Sequence, residues 1–193
     1  MAFALCVFCG AASGNGPEYA AATRAVGTEI GRRGWTLVYG GGQVGLMGVL
    51  ADSALAAGAR VIGVIPQFLY DREVAHRGLS QLDVVTNFAE RKQRMGELSD
   101  AFLSLPGGVG TMDEMFEAWS WTQARLQDKP SGLLNVAGYY DDLVRFVDHA
   151  TATGFIKAES RGVLRVSGSV PELLDALMVP AVRRSASPTA TGR

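Results

Sequence analysis

The sequence has few of the residues from which metal sites and disulfide frameworks are built. It contains two cysteines and two histidines in 193 residues, and none of them has the spacing of metal ligands. No apolar run approaches the length of a membrane span, and the N-terminus lacks the basic start and cleavage site of a signal peptide. A formal net charge of −1 argues against a protein that neutralises nucleic-acid phosphates. We therefore expect a cytoplasmic protein with no metal, membrane or nucleic-acid partner, which binds small molecules or further copies of itself.

The two cysteines read Cys6-x-x-Cys9, a spacing shared with redox-active dithiols. They lie within an apolar run that reads as a strand, in which residues three apart face opposite sides. A redox-active CxxC lies instead at the start of a helix. We therefore expect two buried thiols rather than a redox pair.

Apolar, β-rich runs alternate with segments of helical periodicity along the chain. The sequence is 48% apolar, enough for one domain over residues 1–180, and residues 181–193 lack an apolar period and are expected to form a disordered tail. Strands and helices in alternation predict an α/β fold, a doubly wound, Rossmann-like parallel sheet of about seven strands flanked by helices. The predicted strands are 3–9, 36–40, 60–66, 82–87, 101–106, 131–136 and 163–168. The predicted helices are 17–34, 44–58, 88–100, 111–126, 139–154 and 169–179.

The first of two glycine-rich turns, YGGGQVGLMG, follows the second predicted strand. Gly40, Gly42 and Gly45 fit the G-x-G-x-x-G pattern, which is a weak signal by itself. A dinucleotide site normally adds an acidic residue at the end of the next strand, and RVIGVIPQF has none. This disfavours a nicotinamide-dependent oxidoreductase, and the glycines could also serve only to permit close strand-to-helix packing.

The second turn, in SLPGGVGTMDEMFEAW, has the features of a phosphate site. Gly107, Gly108 and Gly110 allow backbone amides to converge at the start of a helix, and Thr111 can add its hydroxyl. The acidic residue Asp113 is interpreted as complementing the helix dipole.

Glu114, in the same helix, is interpreted as a functional carboxylate. On a helical wheel it lies near Ala118 and Trp121, outside the apolar stripe expected to face the sheet. A carboxylate is repelled by bound phosphate, so Glu114 should act on another, electron-poor part of the ligand. The expected sheet-facing stripe consists of Met112, Met115, Phe116 and Trp119.

The preceding helix contains a cation on its apolar face. Phe88, Met95 and Leu98 recur at helical spacing, and the same spacing includes Arg91. A guanidinium in that position requires an anion or a carboxylate partner. The alternative is a surface arginine whose aliphatic stem covers apolar side chains.

The blocks ERK…M and PGGVGTMDE together resemble the LOG (LONELY GUY) family of cytokinin-activating phosphoribohydrolases. The resemblance runs from about residue 3 to residue 178 and includes FCGAASGN, VYGGGQVGLMG and DKPSGLLNVAGYYDDL. It implies hydrolysis of the N-glycosidic bond of a nucleoside 5′-monophosphate, AMP or an N6-modified AMP, to the free base and ribose 5-phosphate. It implies no cofactor, and it implies dimers or hexamers whose sites take residues from two chains.

Position by position, the resemblance assigns the catalytic roles to Arg91 and Glu114. Whether Arg91 clamps the phosphate or assists the leaving base stays open. The chain departs from the family pattern at Ala11–Ala12, where a serine pair is usual, and at Phe88–Ala89, where Met-His is usual. These changes bear on base preference and leave the catalytic pair intact. The substrate-binding positions implied by the resemblance are Ser13, Gly41, Gly42, Glu73, Lys92, Met95, Gly107, Gly108, Gly110, Thr111 and Ser120.

Relatives of this kind are often labelled lysine decarboxylases, a reading that the sequence disfavours. A pyridoxal enzyme needs a lysine for its Schiff base, and Lys92, Lys129 and Lys157 lie in no cofactor-binding context. The remaining alternative is a non-catalytic carrier of a nucleotide-like ligand. The presence of both Arg91 and Glu114 favours the enzyme.

The helix over 112–123 is apolar almost all round, which predicts self-association. One side suffices for the sheet, and the side with Ala118 and Trp121 needs further cover. A twofold dimer with the active site near the subunit boundary is the simplest solution. Cover by the C-terminal helices of the same chain is the alternative.

Overall fold

The computed structural model describes residues 2–72 and 74–181 of the chain. The predicted substrate contact Glu73 and residues 182–193 of the predicted tail therefore lie outside the described residues. Ala181, the first residue of that predicted tail, is described and packs against a core cluster.

Seven parallel strands form one sheet, at the positions that the apolar runs predict. The strands are β1 (Ala4–Phe8), β2 (Thr36–Tyr39), β3 (Arg60–Pro66), β4 (Gln81–Val85), β5 (Ala101–Ser104), β6 (Ser131–Leu134) and β7 (Leu164–Ser167). Their order is β4-β3-β2-β1-β5-β6-β7. The predicted doubly wound, Rossmann-like fold is confirmed.

Eight α-helices are found within the described residues. They are α1 (Pro17–Arg32), α2 (Gly45–Ala56), α3 (Gln67–Tyr70), α4 (Phe88–Glu97), α5 (Val109–Gln123), α6 (Asp141–Ala152), α7 (Ala158–Val163) and α8 (Val170–Leu177). A short 3-10 helix covers Val136–Gly138. The short helices α3 and α7 were not predicted, because four and six residues are too few for an apolar period to show. None of the helices in the described ranges has the length and hydropathy required of a membrane span.

Helices cover both faces of the sheet, which explains why its strands are apolar on both sides. On one face, α1, α2 and α8 bury side chains such as Val26 and Leu174. On the other, α4 to α7 bury Met95, Met115 and Val147 among others. Each fully buried side chain of this kind contributes about 1.5–3 kcal/mol to stability.

The two cysteines lie on opposite faces of β1 and its continuation, as predicted. Cys6 packs in the cluster with Met95, whereas Cys9 packs in the cluster with Val26. Both are free and buried, and burial raises the pKa of each thiol. A redox role for the pair is therefore not supported.

The strand order reverses between β1 and β5, and this reversal determines where a ligand can bind. β1 is paired with β2 on one side and with β5 on the other. Connections leaving the carboxyl ends of β1 and β5 consequently diverge and leave a crevice between them. The turns after these strands are Cys9–Gly16 and Leu105–Gly108.

The orientation of α5 agrees with the sequence prediction at Met115 and Trp119, which are buried in the core, and differs from it at Phe116 and Glu114. Phe116 is 40% exposed, whereas Glu114 and Ala118 are 9% and 2% exposed. The sheet-facing side of α5 therefore includes Glu114, which the helical wheel placed away from the sheet. On this packed side the buried Arg91 guanidinium compensates the charge of the Glu114 carboxylate.

Candidate active site

A cavity of about 510 Å³ lies at the carboxyl ends of the central strands, in the crevice between the turns after β1 and β5. Its wall includes backbone from both turns and the side chains of the buried pair, Arg91 and Glu114. The lining residues are Val7, Phe8, Cys9, Gly10, Ala11, Ala12, Ser13, Gly14, Tyr19, Gly40, Leu46, Met47, Arg91, Pro106, Gly107, Gly108, Gly110, Thr111, Glu114 and Tyr139.

Arg91 is held in the cavity wall by three acceptors. Its Nε donates to the Val64 carbonyl at 3.0 Å, its Nη2 donates to the Gly40 carbonyl at 3.0 Å, and its Nη1 lies 3.3 Å from Glu114 Oε1. A Cβ at Gly40 would lie 1.8 Å from Nη2, so only glycine leaves room for the guanidinium. The prediction that Arg91 is buried and paired is confirmed, and the surface-arginine alternative is wrong.

Glu114 is the carboxylate partner that the buried arginine requires. The exposed fractions of the two side chains are 10% for Arg91 and 11% for Glu114. Burial raises the pKa of the Glu114 carboxyl above its ordinary value of 4.5, and the adjacent Arg91 guanidinium opposes this shift. The carboxylate therefore faces the cavity with little competing hydration.

The turn after β5 packs so closely that its first glycine admits no side chain. A Cβ at Gly107 would lie 2.1 Å from Thr111 Oγ1 and 2.8 Å from the Gly10 amide nitrogen. Gly108 is the N-cap of α5 and makes no side-chain capping bond. The first amides of a helix have no intrahelical acceptor, so this end of α5 presents N–H groups and a positive dipole end to the cavity wall.

The turn after β2 is fixed by the segment that follows α3. The Gln43 amide donates to the Val74 carbonyl at 2.8 Å, and the His76 amide donates to the Gly41 carbonyl at 2.9 Å. The ring of His76 is itself held, because Nδ1 accepts from the Gly78 amide and Nε2 lies 2.9 Å from Asp52 Oδ1. An accepting Nδ1 assigns the ring proton to Nε2.

Seven of the predicted site residues line this one cavity. They are Ser13, Arg91, Gly107, Gly108, Gly110, Thr111 and Glu114.

Five predicted site residues lie elsewhere in this chain. Gly41 and Gly42 are buried and do not line the cavity, and Met95 is buried in the core at 1% exposure. Lys92 forms ion pairs with Asp113 and Glu117 at 2.9 and 2.6 Å. Ser120 is exposed on α5. Substrate contact by these residues and by Glu73 stays a prediction.

The sequence analysis did not identify two aromatic side chains of the cavity, Tyr19 and Tyr139. Their rings meet edge to face with centroids 5.9 Å apart. Tyr139 lies in the GYYDD segment that follows β6, whereas Tyr19 is in the first turns of α1. A polar aromatic residue just beyond a strand's carboxyl end is the only sequence signal for Tyr139, and it is weak without the strand order.

Comparisons with known proteins agree with this arrangement of motifs. A protein-family model described as "Possible lysine decarboxylase" matches residues 47–177, more than half of the chain. The rice protein (Oryza sativa subsp. japonica) "Probable cytokinin riboside 5'-monophosphate phosphoribohydrolase LOGL1" is 45% identical over 170 residues, which cover 88% of this chain and 76% of the relative. The chain belongs to the LOG family. A second LOG relative, "Cytokinin riboside 5'-monophosphate phosphoribohydrolase LOG1" of Arabidopsis thaliana, is 43% identical over 173 residues, or 90% of this chain and 81% of that protein.

Solved structures with a similar fold extend beyond the LOG family. A molybdenum cofactor binding protein from Rippkaea orientalis superposes with a TM-score of 0.70 at 21% identity, over 93% of this chain and 99% of that one. The molybdenum cofactor carrier protein of Chlamydomonas reinhardtii has a TM-score of 0.70 at 20% identity, over 92% and 97% of the two chains. At such identities the likeness establishes a shared fold alone.

The lysines of this LOG-family chain give no support to decarboxylase chemistry. Lys92 is paired with two carboxylates of α5, and Lys129 donates to the Gly96 carbonyl at 2.5 Å. Lys157 is exposed at the start of α7. None of the three lines the cavity, so a Schiff base with a cofactor bound there has no candidate lysine.

Proposed function

We propose that the protein hydrolyses the N-glycosidic bond of adenosine 5′-monophosphate or its N6-substituted derivatives, releasing the free base and ribose 5-phosphate. The observation that carries this proposal is the buried Arg91–Glu114 pair in the wall of the cavity that the 107–111 turn also lines. The names of the related proteins, cytokinin riboside 5′-monophosphate phosphoribohydrolases, support this substrate class.

The 107–111 turn is the proposed phosphate site. Its amides at the start of α5 and the hydroxyl of Thr111 can bind an anion without a lysine, because the helix dipole adds positive potential. Thr111 is only 4% exposed, so its hydroxyl is held close to the turn. Binding energy from the phosphate then positions the anomeric carbon of the ribose.

Glu114 is the proposed catalytic carboxylate. Departure of the base passes through an oxocarbenium-like state, in which positive charge develops on the ribose. A buried carboxylate stabilises that charge and orients the attacking water, whose oxygen forms the new bond to the anomeric carbon. The electron pair of the broken C–N bond leaves with the base, and the proton that the attacking water loses ends on that base.

Arg91 is the proposed donor to the leaving base. Its guanidinium is anchored by carbonyls at the ends of β2 and β3, whereas the phosphate turn follows β5. Each terminal nitrogen carries a second N–H beyond the one directed at its carbonyl or carboxylate partner. These N–H groups can stabilise negative charge that develops on the base.

A comparison of AMP with adenosine tests this function directly. Purified protein is incubated with each compound, and with isopentenyl-adenosine monophosphate, and free base is measured by chromatography. We expect hydrolysis of the 5′-monophosphates and none of adenosine, and we expect Glu114→Gln to lower turnover about a hundredfold or more. Equal rates on AMP and adenosine would contradict the phosphate site. Tight AMP binding without release of base would indicate a carrier instead.

We further propose that the protein is a cytoplasmic homodimer with its sites near the subunit boundary. Ala118, one of the residues expected to need a partner, is covered within the chain, so the argument now rests on Val109 and Phe116. These α5 side chains are 87% and 40% exposed near the cavity, and a self-complementary contact would cover them. Light scattering is expected to give twice the monomer mass at micromolar concentration. A monomer mass with activity retained on dilution would contradict a shared site.

A further inference from the structure

Three consecutive carbonyls of the turn after β5 accept hydrogen bonds from other parts of the fold. The Leu105 carbonyl accepts from Tyr140 Oη at 2.7 Å, and the Gly107 carbonyl accepts from Tyr139 Oη at 2.6 Å. Between them, the Pro106 carbonyl accepts from the Gly10 amide at 3.1 Å. No carbonyl of this short stretch is therefore free to rotate.

The orientation of the Pro106 and Gly107 carbonyls determines the direction of the next amide, whereas the Leu105 carbonyl precedes Pro106, which has no N–H. A trans peptide is planar, so its C=O and the following N–H point in opposite directions. Bonds to the carbonyls of Pro106 and Gly107 therefore turn the amides of Gly107 and Gly108 away from those donors. Gly107 and Gly108 line the cavity, and their amides precede the free N–H groups of the first turn of α5.

The two tyrosines reach the turn from a backbone segment in an uncommon conformation. Ala137 and Gly138 have φ values of 50° and 74°, and a non-glycine residue in this left-handed region costs about 1–2 kcal/mol. The Tyr140 amide donates to the Asn135 side chain at 2.8 Å, which holds the segment at the end of β6. Such strain persists only where the surrounding structure imposes it.

We propose that Tyr139 and Tyr140 are positioning residues that hold the backbone of the 105–108 turn in the conformation that binds the phosphate of the substrate. The inference rests on the proposed function for the identity of the ligand. Tyr139 is 43% exposed and lines the cavity, so it can also contact the ligand, whereas Tyr140 is 1% exposed. An effect of Tyr140 on phosphate affinity must therefore act through the turn.

The test measures binding of ribose 5-phosphate to the full chain by calorimetry. Tyr139→Phe and Tyr140→Phe each remove one hydroxyl and keep the ring. Ser99→Ala is the matched control, because Ser99 is 4% exposed and its Oγ donates to the Met95 carbonyl at 2.7 Å. Ser99 precedes β5 and so lies at the end of that strand opposite the cavity. We expect each phenylalanine variant to weaken ribose 5-phosphate binding about threefold to tenfold, and Ser99→Ala to change it less than about twofold.

Steady-state kinetics with AMP separate positioning from general destabilisation. We expect each phenylalanine variant to raise KM by the same factor as the dissociation constant and to lower kcat less. Unchanged affinity in Tyr140→Phe, with a loss of thermal stability like that of Ser99→Ala, would overturn the inference. A wild-type protein that binds neither ribose 5-phosphate nor inorganic phosphate would also overturn it. If the wild type does not hydrolyse AMP but the variants still lose phosphate affinity, the positioning role stands and the proposed activity fails.

Discussion

The buried pair of Arg91 and Glu114 allows a prediction in which stability and activity separate. At the observed 3.3 Å, two unit charges attract by about 5 kcal/mol at an effective dielectric constant of about 20. Removing one partner of such a pair costs about 3–5 kcal/mol, because the other charge stays buried and uncompensated. In Glu114→Gln the guanidinium keeps its bonds to two backbone carbonyls. We therefore expect a loss of about 3 kcal/mol in the free energy of unfolding.

The double variant Arg91→Met/Glu114→Gln should be more stable than the sum of its single substitutions implies. In each single variant the remaining charge is buried without its partner, and the second substitution removes that charge. We expect the double variant to regain about 2 kcal/mol or more relative to additivity. Turnover of AMP, in contrast, should fall about a hundredfold or more in all three variants, because each lacks a group that acts on the transition state.

Urea unfolding measures the stabilities, and the three tryptophans of the chain provide the fluorescence signal. Release of adenine from AMP measures turnover. Arg33→Met is the control: Arg33 is 17% exposed and pairs with Glu29 and Asp175 on α1 and α8, outside the cavity. It should lose stability and keep turnover. Additivity within about 0.5 kcal/mol would show that the two site charges do not interact. Turnover of Glu114→Gln within about tenfold of wild type would refute its catalytic role.

Three further predictions concern pH, glycine geometry and a helix end. Because burial raises the pKa of Glu114 in the free protein, the carboxylate form is lost as pH falls through that raised value, so the acid limb of kcat/KM should have its midpoint above 4.5; a midpoint at or below 4.5 contradicts the assignment. Gly45→Ala should lower the free energy of unfolding by about 2 kcal/mol or more, because φ at Gly45 is +61° and the new Cβ would lie 2.2 Å from the Ala11 carbonyl oxygen. In the control Gly58→Ala the new Cβ would have no neighbouring atom within 4 Å, so the loss should be only about 1 kcal/mol. Urea unfolding measures both losses. Arg125→Gly should raise the melting temperature by about 1–3 °C without changing turnover, because Arg125 has a φ of 60° just after α5; calorimetry that shows a decrease would contradict this.

The sequence was sufficient to predict where the seven strands lie, because burial on both faces leaves apolar runs in the five inner strands, whereas the edge strands β4 and β7 are only partly buried. It also predicted that Arg91 needs an anionic partner if it is buried on the face with Met95, and the structure decided against the alternative of a surface arginine. Burial of the α5 side that carries Glu114 was not predictable in the same way. The apolar residues of α5 surround the helix, so only the tertiary partner of Glu114 decides which side faces the sheet.

The carbonyl contacts of the second glycine turn were also beyond the sequence. Tyr139 and Tyr140 lie more than thirty residues from their acceptors, and the left-handed conformation of Ala137, just before them, is one that an alanine does not predict. The strand order brings β6 beside β5 and so places the end of one strand against the turn of the other. Such contacts depend on topology and not on any local pattern.

The central position of β1 in the sheet constrains the order in which the strands can pair during synthesis of the chain. β1 is synthesised first and can pair with β2 on one side soon afterwards. Its other edge stays unpaired until β5 has been synthesised, about one hundred residues later. Until then an apolar strand edge is open to wrong partners. The binding cavity is complete only after Tyr139 has been added. The ligand therefore cannot stabilise a nascent chain before most of the sheet has formed. The complete protein, in contrast, is stabilised by any ligand that binds only the folded state.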